Sequence, residues 1–252
     1  MKDSKKKLIS KTVKALLILL ALLPVLNCSR YIKPEMKNIP DLQQNFHAFN
    51  QAKHIKARGN VFVDTPFNEG KINAVFNLKI PDSLDIQFRD VIGRKQAFMK
   101  FYNNDFDLWM QRENRHLDRH EIPPDFSLFV FKELSLSEIR KIFFAQPLFD
   151  TKIFNFKKQD FIQTKTAGGQ KVTTFFNELG LIRRVEIHKS NRELSSIFIY
   201  SDYELYDQLI LPGVIQIIDL NKAIEVKINL YHFSVESTNL SGIKKRGTIA
   251  KK

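Results

Sequence analysis

The chain holds a single thiol, Cys28, so no intrachain disulfide and no cysteine-built metal cluster can form. His116 and His120 stand four apart, a spacing that lets two imidazoles reach one metal ion when it falls on a helix. Here the surrounding residues read as strand or loop, with Arg115 and Arg119 adjacent, so solvated polar side chains are expected instead. Glu113, Asp118 and Glu121 offer carboxylates in the same stretch, of a kind common in exposed loops. Ser135 and Ser137 are explained as helix-start residues, and Gly168-Gly169 as a turn. The G-x-S-x-G elbow, the H-E-x-x-H zinc motif and the phosphate-cradling glycine loop are all missing. The expectation is a protein that is not an enzyme, with no catalytic residue, metal or cofactor.

That leaves Cys28 and the segment that presents it. Lys2, Lys5, Lys6, Lys7, Lys11 and Lys14 make a basic start, followed by the apolar run ALLILLALLPVL over residues 15–26. A membrane-spanning helix needs about 20 apolar residues, so this run is too short to cross and stay. A basic start with a short apolar core is the pattern of an export signal. The run Val25-Leu26-Asn27-Cys28 resembles the lipobox of bacterial lipoproteins, although Asn27 departs from the usual Gly, Ala or Ser. The resemblance implies cleavage before Cys28 and acylation of that cysteine. Residues 1–27 then form a lipoprotein signal peptide and residues 28–39 a tether. Two or more acyl chains hold a protein stably on a bilayer, at about 0.8 kcal/mol per buried methylene.

The 252 residues carry a formal +13, and 43% of them are hydrophobic, which fits a folded chain with a sizeable core. The leader removes six lysines and one aspartate, so the remainder carries +8. For an exported chain this charge points to anionic head groups rather than nucleic acid.

The rest of the chain supplies the framework. Leu42, Phe46 and Phe49 share one face of a helix expected over residues 40–53. Alternation follows in residues 54–64, with Ala57, Gly59, Val61 and Val63 on one side. In residues 71–80, Ile72, Ala74, Phe76, Leu78 and Ile80 face one way. The pattern repeats at Leu84, Ile86, Phe88, then Ala97, Met99, Phe101, then Phe106, Leu108, Met110. A period of two with one apolar face means half-buried antiparallel strands. Ile122-Pro123-Pro124-Asp125 interrupts the sheet. Ser135-Leu136-Ser137-Glu138 reads as a capping box opening a short helix that ends before Pro147. Strands resume over residues 161–165, 172–177, 181–189, 194–202, 214–219 and 222–233. Phe62, Phe98, Trp109, Phe175, Phe198 and Tyr200 are assigned to the opposite faces. Residues 236–252 read as a basic disordered tail.

Helix, about five strands, helix and about five more strands is the order of the LolA/LolB-like outer-membrane lipoprotein fold. The chain resembles that family, and its LolB-like members in particular. The likeness rests on residues 54–64 with Gly59, Asp82-Ser83-Leu84-Asp85-Ile86 followed by Gly93-Arg94, the segment from Leu134 to Pro147, and residues 200–227 with Leu211-Pro212. The resemblance implies a mainly β (α+β) fold over residues 40–235. It would be a curved, incomplete antiparallel β-barrel of ten to eleven strands with two helices across the concave side. The concave side would form a cavity for acyl chains such as palmitate, lined by Phe76, Leu78, Ile86, Phe88, Met99, Phe101, Leu108 and Met110. The implied setting is the outer membrane, lipid-anchored and facing the periplasm. The implied partners are lipid or the acyl chains of other lipoproteins. The alternative reading is a structural or assembly lipoprotein that docks an envelope protein partner on outer-face aromatics around Trp109 and Phe198.

Overall fold

Strands dominate because apolar and polar residues alternate through most of the chain after residue 52, and most strands bury one face. The computed structural model describes residues 42–66, 68–81, 83–102, 105–118, 121, 134–149, 160–189, 191, 193–206 and 209–237. The leader, Cys28, the tether, Arg119, His120, the Ile122-Pro123-Pro124-Asp125 break and residues 238–252 lie outside them.

Helix α1 (Leu42–Gln51) leads directly into β1 (Ala52–Thr65). There follow β2 (Asn68–Lys79), β3 (Ser83–Arg89), β4 (Lys95–Tyr102), β5 (Asp105–Met110) and β6 (Arg115–Leu117). Helix α2 (Leu136–Phe143) separates them from β7 (Phe161–Lys165), β8 (Lys171–Phe176) and β9 (Ile182–His188). The chain then closes with β10 (Leu194–Tyr206), β11 (Leu209–Asp219) and β12 (Ile224–Ser237). Among the described residues the sheet has twelve strands, in the order β6-β5-β4-β3-β2-β1-β12-β11-β10-β9-β8-β7. Each half is an antiparallel meander of neighbours in sequence, and the first and last strands join the halves by the long β1–β12 ladder. The strand beyond the expected ten or eleven is β6, three residues long and paired with β5. Strand β12 runs to Ser237, so Glu236 and Ser237, expected in the tail, instead pair with His54 and Ala52.

The curvature follows from what α2 touches. Phe143 packs on Phe76 of β2, with ring centroids 6.3 Å apart. Arg140 Nη1 donates to the Pro81 carbonyl in the β2–β3 turn at 2.7 Å. On the other side, the Ala167 amide in the β7–β8 turn donates to Glu138 at 2.7 Å. The Tyr200 hydroxyl of β10 donates to the Ile142 carbonyl at 2.8 Å. In a flat sheet, β2 and β8 would stand about 30 Å apart at the usual strand spacing. An eight-residue helix is only about 12 Å long. Both halves can reach it only if the sheet curls around it.

The bending has local causes. A Cβ on Gly59 would lie 2.7 Å from the Asn229 carbonyl oxygen, where the β1–β12 register slips. A Cβ on Gly213 would lie 2.6 Å from the Asp202 carbonyl, and Asp202 has a φ of +53°. Val214 pairs with Asn229, so these close approaches lie side by side across β10, β11, β12 and β1.

Candidate functional site

The expected site residues do share a face. Leu117, Leu108, Met99, Ile86, Phe76, Ala57 and Phe233 pair directly from strand to strand, one unbroken apolar row across β6, β5, β4, β3, β2, β1 and β12. A second row runs Phe106, Phe101, Leu84, Leu78, Ile55, and a third runs Met110, Ala97, Phe88, Ala74, Gly59. Phe76, Leu78, Ile86, Phe88, Met99, Phe101 and Leu108 are between 0% and 3% exposed. Met110 is half-buried against the same core. This concave face is filled. Ile139, Ile142 and Phe143 of α2 are buried on it, and Phe49 of α1 meets Phe144 at 6.0 Å. A recess of about 380 Å³ opens elsewhere, at the end of the sheet, lined by Asp64, Thr65, Pro66, Ile218 and residues 223–225.

Helix α2 forms because its ends are satisfied. The Ser135 hydroxyl accepts the Glu138 amide at 3.3 Å, and Glu138 accepts the Ser135 amide at 2.8 Å. This is the capping box read from the sequence. Its polar side meets α1, where Lys141 Nζ sits 5.2 Å from the Phe46 ring centroid. Burial there, with Arg140 nearby, pulls the Lys141 ammonium below the ordinary lysine range despite Glu138. Burial raises the Tyr200 hydroxyl well above the usual tyrosine range, so it stays a neutral donor to Ile142.

Two aromatics fall on the other side from the one expected. Phe198 belongs to the row Val63, Val226, Ile217, Phe198, Val185, Thr174, Ile162 on the concave face and is 0% exposed. Tyr200 pairs with Ile215 on the same face. Strand β10 buries residues 195–198 consecutively, and alternation cannot assign a face where both sides are covered. The outer-face patch expected around Trp109 and Phe198 therefore does not form. Trp109 stacks on His116, whose Nδ1 lies 3.3 Å from Asp107.

The sequence reading passed over two features. Asn45, on the buried side of α1, bonds to the backbone of Ile210 in β11. A polar residue on an apolar helix face was the available signal. The other is the β3–β4 turn, where Val91 is 87% and Ile92 70% exposed between Arg89, Arg94 and Lys95. This turn is rigidly built. The Asp90 carboxylate accepts the Ile92 and Arg94 amides at 3.1 and 2.9 Å, Arg94 Nε at 2.7 Å and Gln96 Nε2 at 3.1 Å. Gly93 takes a φ of +85° to close it. Two aliphatic side chains are thus held in water by a clasp of polar ones.

No protein-family model matches the chain, and no curated protein matches it in sequence. Solved structures do match in shape. A DUF1329 family protein from Desulfovibrio piger superposes with a TM-score of 0.50 at 12% identity, covering 79% of this chain and 92% of that one. A LolA superfamily protein from Nitrosomonas europaea gives 0.49 at 11% identity, covering 78% and 92%. An outer membrane lipoprotein-sorting protein domain from Vibrio parahaemolyticus gives 0.46 at 10% identity, covering 79% and 93%. At such identities the likeness is one of fold. No helix among the described residues is long and apolar enough to cross a membrane.

Proposed function

We propose that this protein is a lipid-anchored lipoprotein of the bacterial outer membrane that faces the periplasm. It binds the acyl chains of a lipid or of another lipoprotein on its concave face, in the manner of LolB-like proteins. The observation that carries the reading is the unbroken apolar row from Leu117 to Phe233 lying under a helix of only eight residues. Burying methylenes there contributes roughly 25 cal/mol per Å², and acyl chains would take over contacts that α2 now makes. The ligand's apolar contacts must also offset the Arg140–Pro81 and Tyr200–Ile142 hydrogen bonds that hold α2 in place. The adaptable thioethers of Met99 and Met110 suit chains of differing length. No covalent chemistry is involved.

Two further features support a membrane setting. The run ending at Cys28 resembles a lipobox apart from Asn27, and the Val91-Ile92 tip, ringed by Arg89, Arg94 and Lys95, suits contact with anionic head groups. The test is mass spectrometry of lipid extracted from protein purified out of membranes, alongside fatty-acid labelling. Wild-type protein should carry label that Cys28→Ser lacks, plus a noncovalent acyl lipid retained by both. Label persisting in Cys28→Ser would overturn the anchor, and protein free of noncovalent lipid would overturn the acyl site.

A further inference from the structure

The two halves of the concave face differ in chemistry. Across β2 to β5 its central rows are hydrocarbon and thioether alone, whereas β7 and β8 place hydroxyls on it. Thr174 lies in the inner row between Val185 and Ile162, and Thr164 pairs with Val172 on the same face. Thr174 is 1% exposed, and the Oγ1 atoms of both threonines are buried with no hydrogen-bond partner. The segment that follows α2 lies over this part of the sheet, since Phe149 meets Phe176 of β8 edge-on at 6.1 Å. On that segment Gln146, 1% exposed, donates to the Phe144 carbonyl but leaves its Oε1 unpartnered.

A buried hydroxyl without a partner is costly, and valine would fill the same space without that cost. Strand propensity also favours valine as much as threonine. Two such hydroxyls on neighbouring strands are therefore explained by a polar group that joins them in another state. A group that accepts hydrogen bonds satisfies both hydroxyls, since each has a proton to donate. It must also be attached to an apolar body, because the rest of the face is apolar.

We infer that Thr164 and Thr174 form the polar end of the acyl site and bind the ester carbonyl of an acylglycerol-type ligand whose chain lies along β2 to β5. The inference rests on the acyl-binding reading above and adds to it the ligand's orientation and linkage. The ligand reaches the hydroxyls when the segment carrying Gln146 is displaced.

The test compares two probes that differ only in linkage: monopalmitoylglycerol, an ester, and 1-O-hexadecylglycerol, the matching ether without the carbonyl. Binding to the full-length protein in detergent is measured by displacement of a fluorescent fatty acid. Wild type should prefer the ester several-fold. The Thr164→Val, Thr174→Val double variant should lose that preference, bind the ether as wild type does, and unfold at a higher urea concentration. The stability gain shows that the variant is folded and that the hydroxyls are unpaired in the free protein. Equal affinity of wild type for ester and ether overturns the inference while leaving the acyl site standing. A preference that survives in the double variant overturns it likewise. Failure of wild type to bind either probe overturns the acyl-binding reading, and this inference with it.

Discussion

The side-chain amide of Asn45 donates to the carbonyl of Ile210 at 3.1 Å and accepts from its amide at 2.7 Å. One side chain on α1 thereby replaces a neighbouring strand. It does so where one is missing, because β11 pairs with β12 only from Val214 onward while its first residues, from Leu209, are buried. Replacing Asn45 with Ala leaves both Ile210 groups buried and unpaired, each costing about 1–3 kcal/mol. Asn45→Ala should lower the urea midpoint by an amount in the upper part of the usual range for single substitutions. Asn45→Asp should not recover the loss at neutral pH, since a carboxylate there is a buried charge facing the Ile210 carbonyl.

Gly213 and Gly70 make opposite predictions for the same change. At Gly213 an added methyl meets the Asp202 carbonyl at 2.6 Å, whereas at Gly70 it meets nothing within 4 Å. Gly213→Ala should destabilise by about 1–3 kcal/mol, the usual cost of forcing atoms into a packed site. Gly70→Ala should be neutral or stabilise by up to about 1 kcal/mol through the unfolded chain. Equilibrium unfolding of both variants checks the pair, and equal effects would contradict the bend assigned to Gly213.

Glu138 does more than Ser135 at the start of α2. Ser135 satisfies one helix amide, worth about 1 kcal/mol. Glu138 holds the Ser135 amide and also the Ala167 amide of the β7–β8 turn. Glu138→Ala should therefore cost more than Ser135→Ala. It should also speed amide exchange at Ala167, which Ser135→Ala leaves largely unchanged; hydrogen exchange read by NMR distinguishes the two.

Asp85 sits on the outer face of β3, opposite Lys100, with its carboxyl partly buried. Burial pushes the carboxyl above its ordinary 3.8, against the pull of Lys100, Lys79 and His54. A raised folded value means that the folded state holds the proton more tightly. The contribution of Asp85 to stability is then full below about 3.8 and is lost as pH rises through the folded value. Asp85→Asn should thus raise stability at neutral pH, with the gain vanishing in acid. Lys100 keeps a carboxylate opposite it in Asp107, so the variant strands no cation. Urea midpoints across the pH range check the sign.

Much of this protein was legible in its residues alone. Strand alternation put Phe76, Leu78, Ile86, Phe88, Met99, Phe101 and Leu108 on buried faces, because side chains a strand residue apart must point oppositely. The Ser135–Glu138 spacing announced the start of α2 because a capping box closes within one turn. Three matters were left to the tertiary structure. The partnering of β1 with β12 brings Ala57 beside Phe233 across most of the chain, a contact that no local pattern encodes. The face of Phe198 depended on what covers β10, since burial on both sides erases the period. The exposure of Val91 and Ile92 was decided by the Asp90 clasp, which fixes where a turn points after pattern and propensity have fixed only that a turn exists.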